Sequence, residues 1–415
     1  MNKNEKTALP QLRFLQYKDS PAWGIKSFGE LIVPVEERAG TKKYTLMSVT
    51  SGVGLIPQIE KFGREIAGNA YNNYYVIKKN DFAYNKSATK LFPEGYISML
   101  TEYEEAALPN SIFTCFRIID EECVPKFFDH LFHNNYHGSW LRKYIEVGAR
   151  AHGSLSVDTK HLWAMPIALP QRDEQQKIAD CLSSLDDLIA AEGKKLDALI
   201  AHKKGLMQKL FPAKGKTVPE LRFEGYTDAW EQRKYSDIIN LISGQDFEPS
   251  DYNELGIGTP YMTGASCIVE GETIVNRWTE KPRCVAYQGD VLLVCKGSGY
   301  GALARLAQKS AHIARQFMAL QNLPNLDKTF NYYLAVSVVD NIKKDARGLI
   351  VGIARDAVLQ QDVMMPSLAE QAVIGTFLCN LDVVITVQAD KIKALRLHKK
   401  GLMQGLFPSI EEVGE

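Results

Sequence analysis

Between Glu174 and Leu210 the apolar positions are Ile178, Leu182, Leu185, Ile189, Leu196, Leu199, Leu206 and Leu210. They recur at steps built from three and four, which predicts one long helix with an apolar seam of the coiled-coil kind. Two seam positions are polar, Glu192 and Lys203. The pattern returns after Glu370 as Ile374, Leu378, Leu381, Ile385, Ile392, Leu395, Leu402 and Leu406, with Gln388 and Lys399 as the matching interruptions. Each helix opens on an acidic residue just after a proline-containing loop and carries Lys and His near its end. That is the favourable sense for the helix dipole.

The repetition is also one of text. HKKGLMQKLFP (His202 to Pro212) recurs as HKKGLMQGLFP (His398 to Pro408), and about half of the positions from Pro170 and Pro366 onward are identical. A second repeat precedes each helix: LPQLRFLQYKDSPAW (Leu9 to Trp23) resembles VPELRFEGYTDAW (Val218 to Trp230). The chain therefore reads as opener, variable region and helix, twice over. The variable regions, 24–165 and 231–364, hardly resemble each other. One weak echo joins YVIKKNDFAYNKSA (Tyr75 to Ala88) to CVAYQGDVLLVCKGSG (Cys284 to Gly299). In both, an apolar run meets a polar turn with Asp81 or Asp290, and a second apolar run and a Lys/Ser-rich turn follow.

Two such seams are most simply buried against each other, and antiparallel packing closes as a pseudo-two-fold dimer. One register sets Glu192 on Lys399 and Lys203 on Gln388. It also places Ile189 on Leu402, Leu196 on Leu395, Leu199 on Ile392 and Leu206 on Ile385. A shift of one heptad would put Glu192 against Ile392, an unpaired buried carboxylate, so the first register is the expected one. Helices of this length, about 55 Å at 1.5 Å per residue, would act as a ruler holding two DNA-reading units apart, of the order of one B-DNA turn.

Composition adds limits. The chain has 415 residues, 45% hydrophobic and 24% charged, with a formal net charge of zero. That length suggests two or three domains. A DNA binder with this balance must segregate its charge. The seven cysteines, Cys115, Cys123, Cys181, Cys267, Cys284, Cys295 and Cys379, form no CxxC pair and have no zinc-ligand spacing. They fit reduced, buried thiols of a cytoplasmic protein. No secretory signal and no bilayer-length apolar stretch is expected.

The segments MPIALPQRDEQQKIADCLSSLDDLI, HKKGLMQKLFP and PELRFEGYTDAW closely resemble those of type I restriction–modification specificity subunits, in that family's order and twice. DFAYNKS (Asp81 to Ser87) and GARAHGSLSVDTKHLWAMPIALP (Gly148 to Pro170) look like the middle and end of a first recognition domain. DARGLIVGIARDAVLQQDVMMP (Asp345 to Pro366) is a looser match for the end of a second, without the small polar run after its glycine.

The resemblance implies an α+β chain of two mixed α/β target-recognition domains, separated by two long helices forming an antiparallel coiled coil. The boundaries are 1–165, first recognition domain; 166–212, first helical region; 213–364, second recognition domain; 365–415, second helical region and tail. It further implies double-stranded DNA, two methyltransferase subunits and two restriction subunits as partners, and no membrane. S-adenosylmethionine, and ATP with Mg, would be used by those partners. No cofactor and no catalytic chemistry are expected in this chain.

Readout of base edges needs Arg, Lys, Asn, Gln, Ser or Thr; positioning needs cations and backbone amides at phosphates. The candidates are Lys86, Ser87, Lys90, Arg150 and His152 in the first region, and Lys296, Ser298, Tyr300, Arg305, Arg315, Arg347 and Arg355 in the second. Gly297, Gly299 and Gly301 would allow close approach to a phosphate. His130, His133 and His137 could suggest a metal, but Phe127, Phe128, Leu131 and Phe132 beside them are spaced for an amphipathic helix. An enzyme is the alternative class. KGSGYG is not a P-loop, GVGLIP lacks the third glycine of a dinucleotide fingerprint, and no NPPY-like methyltransferase motif occurs. A coiled-coil adaptor without DNA is the third class, separable by salt-dependent DNA binding of the assembled complex. Dissimilar variable regions predict an asymmetric, two-part target.

Overall fold

The computed structural model describes residues 7–67, 70–145, 158–297, 299–344 and 352–414. The chain is mixed α/β and divides into two compact units. One comprises residues 1–192 with 391–415, the other residues 193–390. The helices that the seam predicts are Arg172–Leu210 and Leu368–Leu406, each 39 residues long. Each ends just before a Phe-Pro pair, because proline disfavours helical backbone in the residue preceding it. Each unit takes the first half of one long helix and the second half of the other.

The expected register is corrected. In the first unit Lys399 Nζ pairs with Asp186 Oδ1 at 2.5 Å, and Lys391 Nζ with Glu192 Oε1 at 2.5 Å. In the second, Lys203 pairs with Asp382. The helices thus run antiparallel within each unit, about one heptad away from the arrangement with Glu192 on Lys399. The observed register is the one that sets Glu192 against Ile392. Glu192 escapes the penalty by bonding Lys391, one residue away and half exposed, so the carboxylate is never left unpaired. All twelve expected seam positions lie on shielded or half-shielded sites.

The expectation of no bilayer-length apolar stretch is also corrected. An 18-residue window of the second long helix reaches a mean hydropathy of 1.7. Valines off the seam, Val383, Val384 and Val387, raise the figure and are exposed. The same helix holds Glu370, Lys391 and Lys399 in ion pairs.

The two variable regions build sheets of one design. In the first unit the strand order is Ile32–Pro34, Phe113–Ile118, Phe82–Asn85, Tyr96–Met99, all antiparallel. In the second it is Ile239–Ser243, Phe317–Asn322, Val291–Val294, Leu303–Arg305, again all antiparallel. Asp81 and Asp290 hold the matching turns: Asp81 Oδ2 accepts from Lys78 N at 2.7 Å and Asp290 Oδ2 from Tyr287 N at 2.8 Å. After each sheet come a helix, Pro125–His133 or Lys328–Lys344, a short helix, Thr159–Trp163 or Arg355–Leu359, and a strand leading into the long helix.

The cores differ. The first is aromatic: Phe82 stacks on Phe116 at 5.4 Å, while Phe132 meets both edge-on and Phe28 meets Phe116 and Phe132 edge-on. Phe127, Phe128, Leu131 and Phe132 are buried from the amphipathic helix, as their spacing predicts. The second core rests on Tyr235, Phe330 and Tyr333, with Phe211 stacked on Phe330 at 5.5 Å.

The repeated text fastens each unit in the same way. Arg13 grips buried Glu174 with two hydrogen bonds of 2.7 Å. Arg222 grips buried Glu370 with two of 2.8 Å. Gln175 accepts from Val124 N and donates to the Pro170 and Glu122 carbonyls. Gln371 accepts from Asp327 N and donates to those of Pro366 and Asn325. Leu12 N bonds Gly405 O, and Leu221 N bonds Lys209 O, so each opener lies on the end of a long helix.

Candidate nucleic-acid interface

At one end of the first unit's sheet, three segments and a helix start converge on a cleft of about 610 Å³. Glu36 and Arg38 follow strand Ile32–Pro34, Lys86 follows strand Phe82–Asn85, Asn110 precedes strand Phe113–Ile118, and Thr159 begins a short helix. The Arg38 guanidinium lies 4.3 Å over the Tyr75 ring and donates to Asn73 O at 2.7 Å. The ring and the carbonyl aim it, which limits the entropy lost on binding. Lys86 is half-buried; burial pushes its amine below the ordinary value, and Asp158 partly opposes this. A partly desolvated ammonium gains from any acceptor brought to it.

The second unit assembles the same segments. Gly244 to Asp246 follow strand Ile239–Ser243, Lys296 and Gly297 follow strand Val291–Val294, Ala314 to Gln316 precede strand Phe317–Asn322, and Arg355 begins a short helix. They are joined by backbone: Gly244 N bonds Phe317 O at 3.1 Å, Cys295 N bonds Gln316 O at 2.8 Å, and Lys296 bridges Gly352. Arg355 Nη1 donates to Ser243 Oγ at 2.7 Å. Arg315 Nε lies 2.6 Å from Asp246 Oδ2. Gly297 has φ +91°, a left-handed conformation that glycine adopts without strain.

The structure thus brings together Lys296, Arg315 and Arg355 in one unit, and in the other places Lys86 in the cleft with Ser87 adjoining. Ser87 N donates to Asn85 Oδ1. Lys90 is exposed on the loop beyond. Two candidates belong elsewhere. Arg305 is half-buried, with its Nη2 3.4 Å from Cys379 Sγ on the second long helix and its guanidinium over Tyr332, so it is corrected from a DNA contact to a packing residue. Tyr300 packs on the second core, with the Lys343 amine 5.6 Å from its ring centroid. Arg150, His152, Ser298 and Arg347 lie outside the described residues.

Arg38, Asn110, Thr159 and Asp246 went unmarked by sequence reasoning. They sit at strand and helix ends far apart in the chain, with no shared motif. The strand pattern that predicts where each run stops was the only signal. Two of the three histidines, His130 and His137, are buried core groups, whereas His133 on the same segment is exposed. His130 Nε2 lies 3.0 Å from Ser183 Oγ, and burial holds His130 and His137 down at about 4. No cluster of three or more metal-ligating side chains occurs among the described residues.

Comparison with known proteins agrees with this architecture. Residues 40–201 match the family model of the type I restriction modification DNA specificity domain. The chain is 25% identical over 289 residues to the type I restriction enzyme MjaVIII specificity subunit of Methanocaldococcus jannaschii, covering 64% of this chain and 66% of that one. It is 27% identical over 274 residues to the putative type I restriction enzyme MjaX specificity subunit of the same organism, covering 63% of each. The matches span just under two thirds of those relatives. Among solved structures, the fold is similar to a chain in one described as the basis of complex assembly and conformational transition of the type I R-M system. There the TM-score is 0.62 at 19% identity, covering 94% of this chain and 99% of that one. It is also similar to the S subunit of the M. genitalium type I restriction-modification system, with TM-score 0.57 at 15% identity, covering 97% and 100%. By family model and relatives together, the chain is similar to type I restriction–modification specificity subunits, and residues 40–201 carry the match to that family's DNA specificity domain.

Proposed function

We propose that this chain reads DNA sequence for a type I restriction–modification complex and leaves the chemistry to other subunits. The observation that carries the reading is one set of strand ends and a helix start built twice, at the same end of the same sheet, with different donors. Arg38, Lys86 and Asn110 stand in one; Lys296, Arg315 and Arg355 stand in the other. Equal placement with unequal donors is what two different half-sites require. Each unit takes one half-site of an asymmetric, interrupted target, and the paired long helices, as a pseudo-two-fold coiled coil, set the spacer.

The same helices dock two methyltransferase subunits, which use S-adenosylmethionine. Two restriction subunits, which use ATP with Mg, join them. The chain works in the cytoplasm. Co-expression with its methyltransferase subunit and sequencing of methylated bases tests this. The expected outcome is an asymmetric two-part motif. A palindrome, an uninterrupted site or no site preference would overturn it.

A further inference from the structure

We infer that Arg315 reads a guanine in the half-site of the second unit, and that Asp246 is the positioning residue that aims it. The inference rests on the DNA-reading role proposed above. Arg315 is the middle residue of the turn Ala314–Gln316, between strands Ser310–Ile313 and Phe317–Asn322. The turn is pinned from three sides. Gln245 N bonds Ile313 O at 2.9 Å, Ala314 N bonds Met262 O at 2.8 Å, and Cys295 N bonds Gln316 O at 2.8 Å. Gly244 packs so closely that a Cβ there would fall 2.0 Å from Ala314 O.

On this fixed base the Asp246 carboxylate holds Arg315 twice. One oxygen accepts the Arg315 backbone N–H at 3.0 Å, and the other forms an ion pair with the guanidinium, 2.6 Å from Nε. The carboxylate's closest approach is to Nε, not to the two terminal amino groups. Neither has a partner among the described residues, and the side chain is 72% exposed. A guanidinium anchored through Nε presents two parallel donors, which match O6 and N7 of guanine.

A phosphate is the other ligand an arginine takes, and the pairing argues against it. Asp246 lies beside the guanidinium and is itself partly exposed, so it cancels the attraction for a phosphate and repels it at close range. Neutral base edges meet no such repulsion. Lys296, exposed and without an acidic partner among the described residues, suits the phosphate role instead. An incidental surface pair would look similar in the free protein, yet its loss would leave DNA reading unchanged.

The test sequences methylated sites from the complex of this chain with its methyltransferase subunit, for the native chain, Arg315→Lys and Asp246→Asn. A two-part motif from the native chain establishes the underlying reading; its absence removes that reading and this one together. Given the motif, Arg315→Lys keeps the charge but loses the fork. Discrimination at one G·C position should fall about tenfold or more, with the other half-site unchanged. Asp246→Asn, which removes neither a cation nor packing atoms, should relax the same position to a smaller degree. An unchanged motif in both variants overturns the inference. So does uniform loss at every position, which marks a phosphate contact, or a half-site with no G·C pair. If the Arg315→Lys complex does not assemble, Asp246→Asn decides the case alone.

Discussion

The two units agree where the sequence repeats and diverge where DNA would lie. Arg13–Glu174 and Arg222–Glu370 are the same bidentate clamp, Gln175 and Gln371 satisfy the same three backbone groups, and Asp186–Lys399 answers Lys203–Asp382. The candidate reading sites share only position. One aims a cation by stacking Arg38 on Tyr75, the other by tying Arg315 to Asp246. A frame needs particular hydrogen bonds, so its text is repeated; a sheet needs only alternation and turns, so its text is free to differ.

The comparison breaks hardest at the clamps. Glu370→Ala leaves Arg222 partly buried without its carboxylate and also removes the acceptor of Trp230 Nε1, so a loss of about 4 kcal/mol in the stability of the second unit is expected. Glu174→Ala should cost less, because Arg13 keeps the Ser20 and Pro21 carbonyls. Denaturant unfolding of the two variants checks the order. Equal losses would show that these carbonyls contribute nothing.

Acid should separate the units next. His130 and His137 are buried in the first unit and held at about 4, by burial foremost. Asp129 and Asp186 oppose this for His130 while Lys126 and Lys399 add to it; the Gly95 backbone and Glu94 oppose it for His137. Unfolded histidine titrates near 6.5. Below that pH the unfolded chain gains protons that the folded unit refuses, so stability falls from about 6.5 down to about 4. At pH 5.5 the cost is about 1.4 kcal/mol for each histidine. The second unit holds one lowered histidine, His312. Amide exchange at pH 7.5 and 5.5, corrected for intrinsic rates, should show protection lost first in the first unit.

The long helices were legible because a three-and-four pattern is local, and so were the strand pairs around Asp81 and Asp290. The register was not. Matching seam layers considered only the two helices, whereas Asp382 also accepts from Tyr333 Oη at 2.6 Å and His130 comes within 3.9 Å of Asp186. Those groups arrive from the variable regions, and the heptad pattern carries no trace of them. The candidate sites were legible as loops rich in Lys and Arg. Their acidic and stacking partners were not, since Asp246 and Arg315 meet only through the sheet.

A smaller effect probes the second unit's candidate site alone. Gly244→Ala puts a methyl group against Ala314 O, which must move, at about 1–3 kcal/mol. Methylation should then lose selectivity in one half-site while the other is read as before. Loss in both halves would mean that it is not an independent reading site.

The smallest effect concerns Arg305, set in the same unit as Arg315 and equally cationic. Its guanidinium lies under Tyr332 and reaches Cys379, so its contacts are internal packing and a weak sulfur bond. Arg305→Ala should lower the stability of the second unit by about 1 kcal/mol. The methylated motif should be unchanged at every position, because the side chain is packed against Tyr332 and turned to Cys379. If the motif changes with Arg305 and not with Arg315, charge alone would have been the better guide, and the role assigned here to the Asp246 anchor would fall. The paired variants therefore test whether an arginine's partners, and not its exposure or charge, decide what it reads.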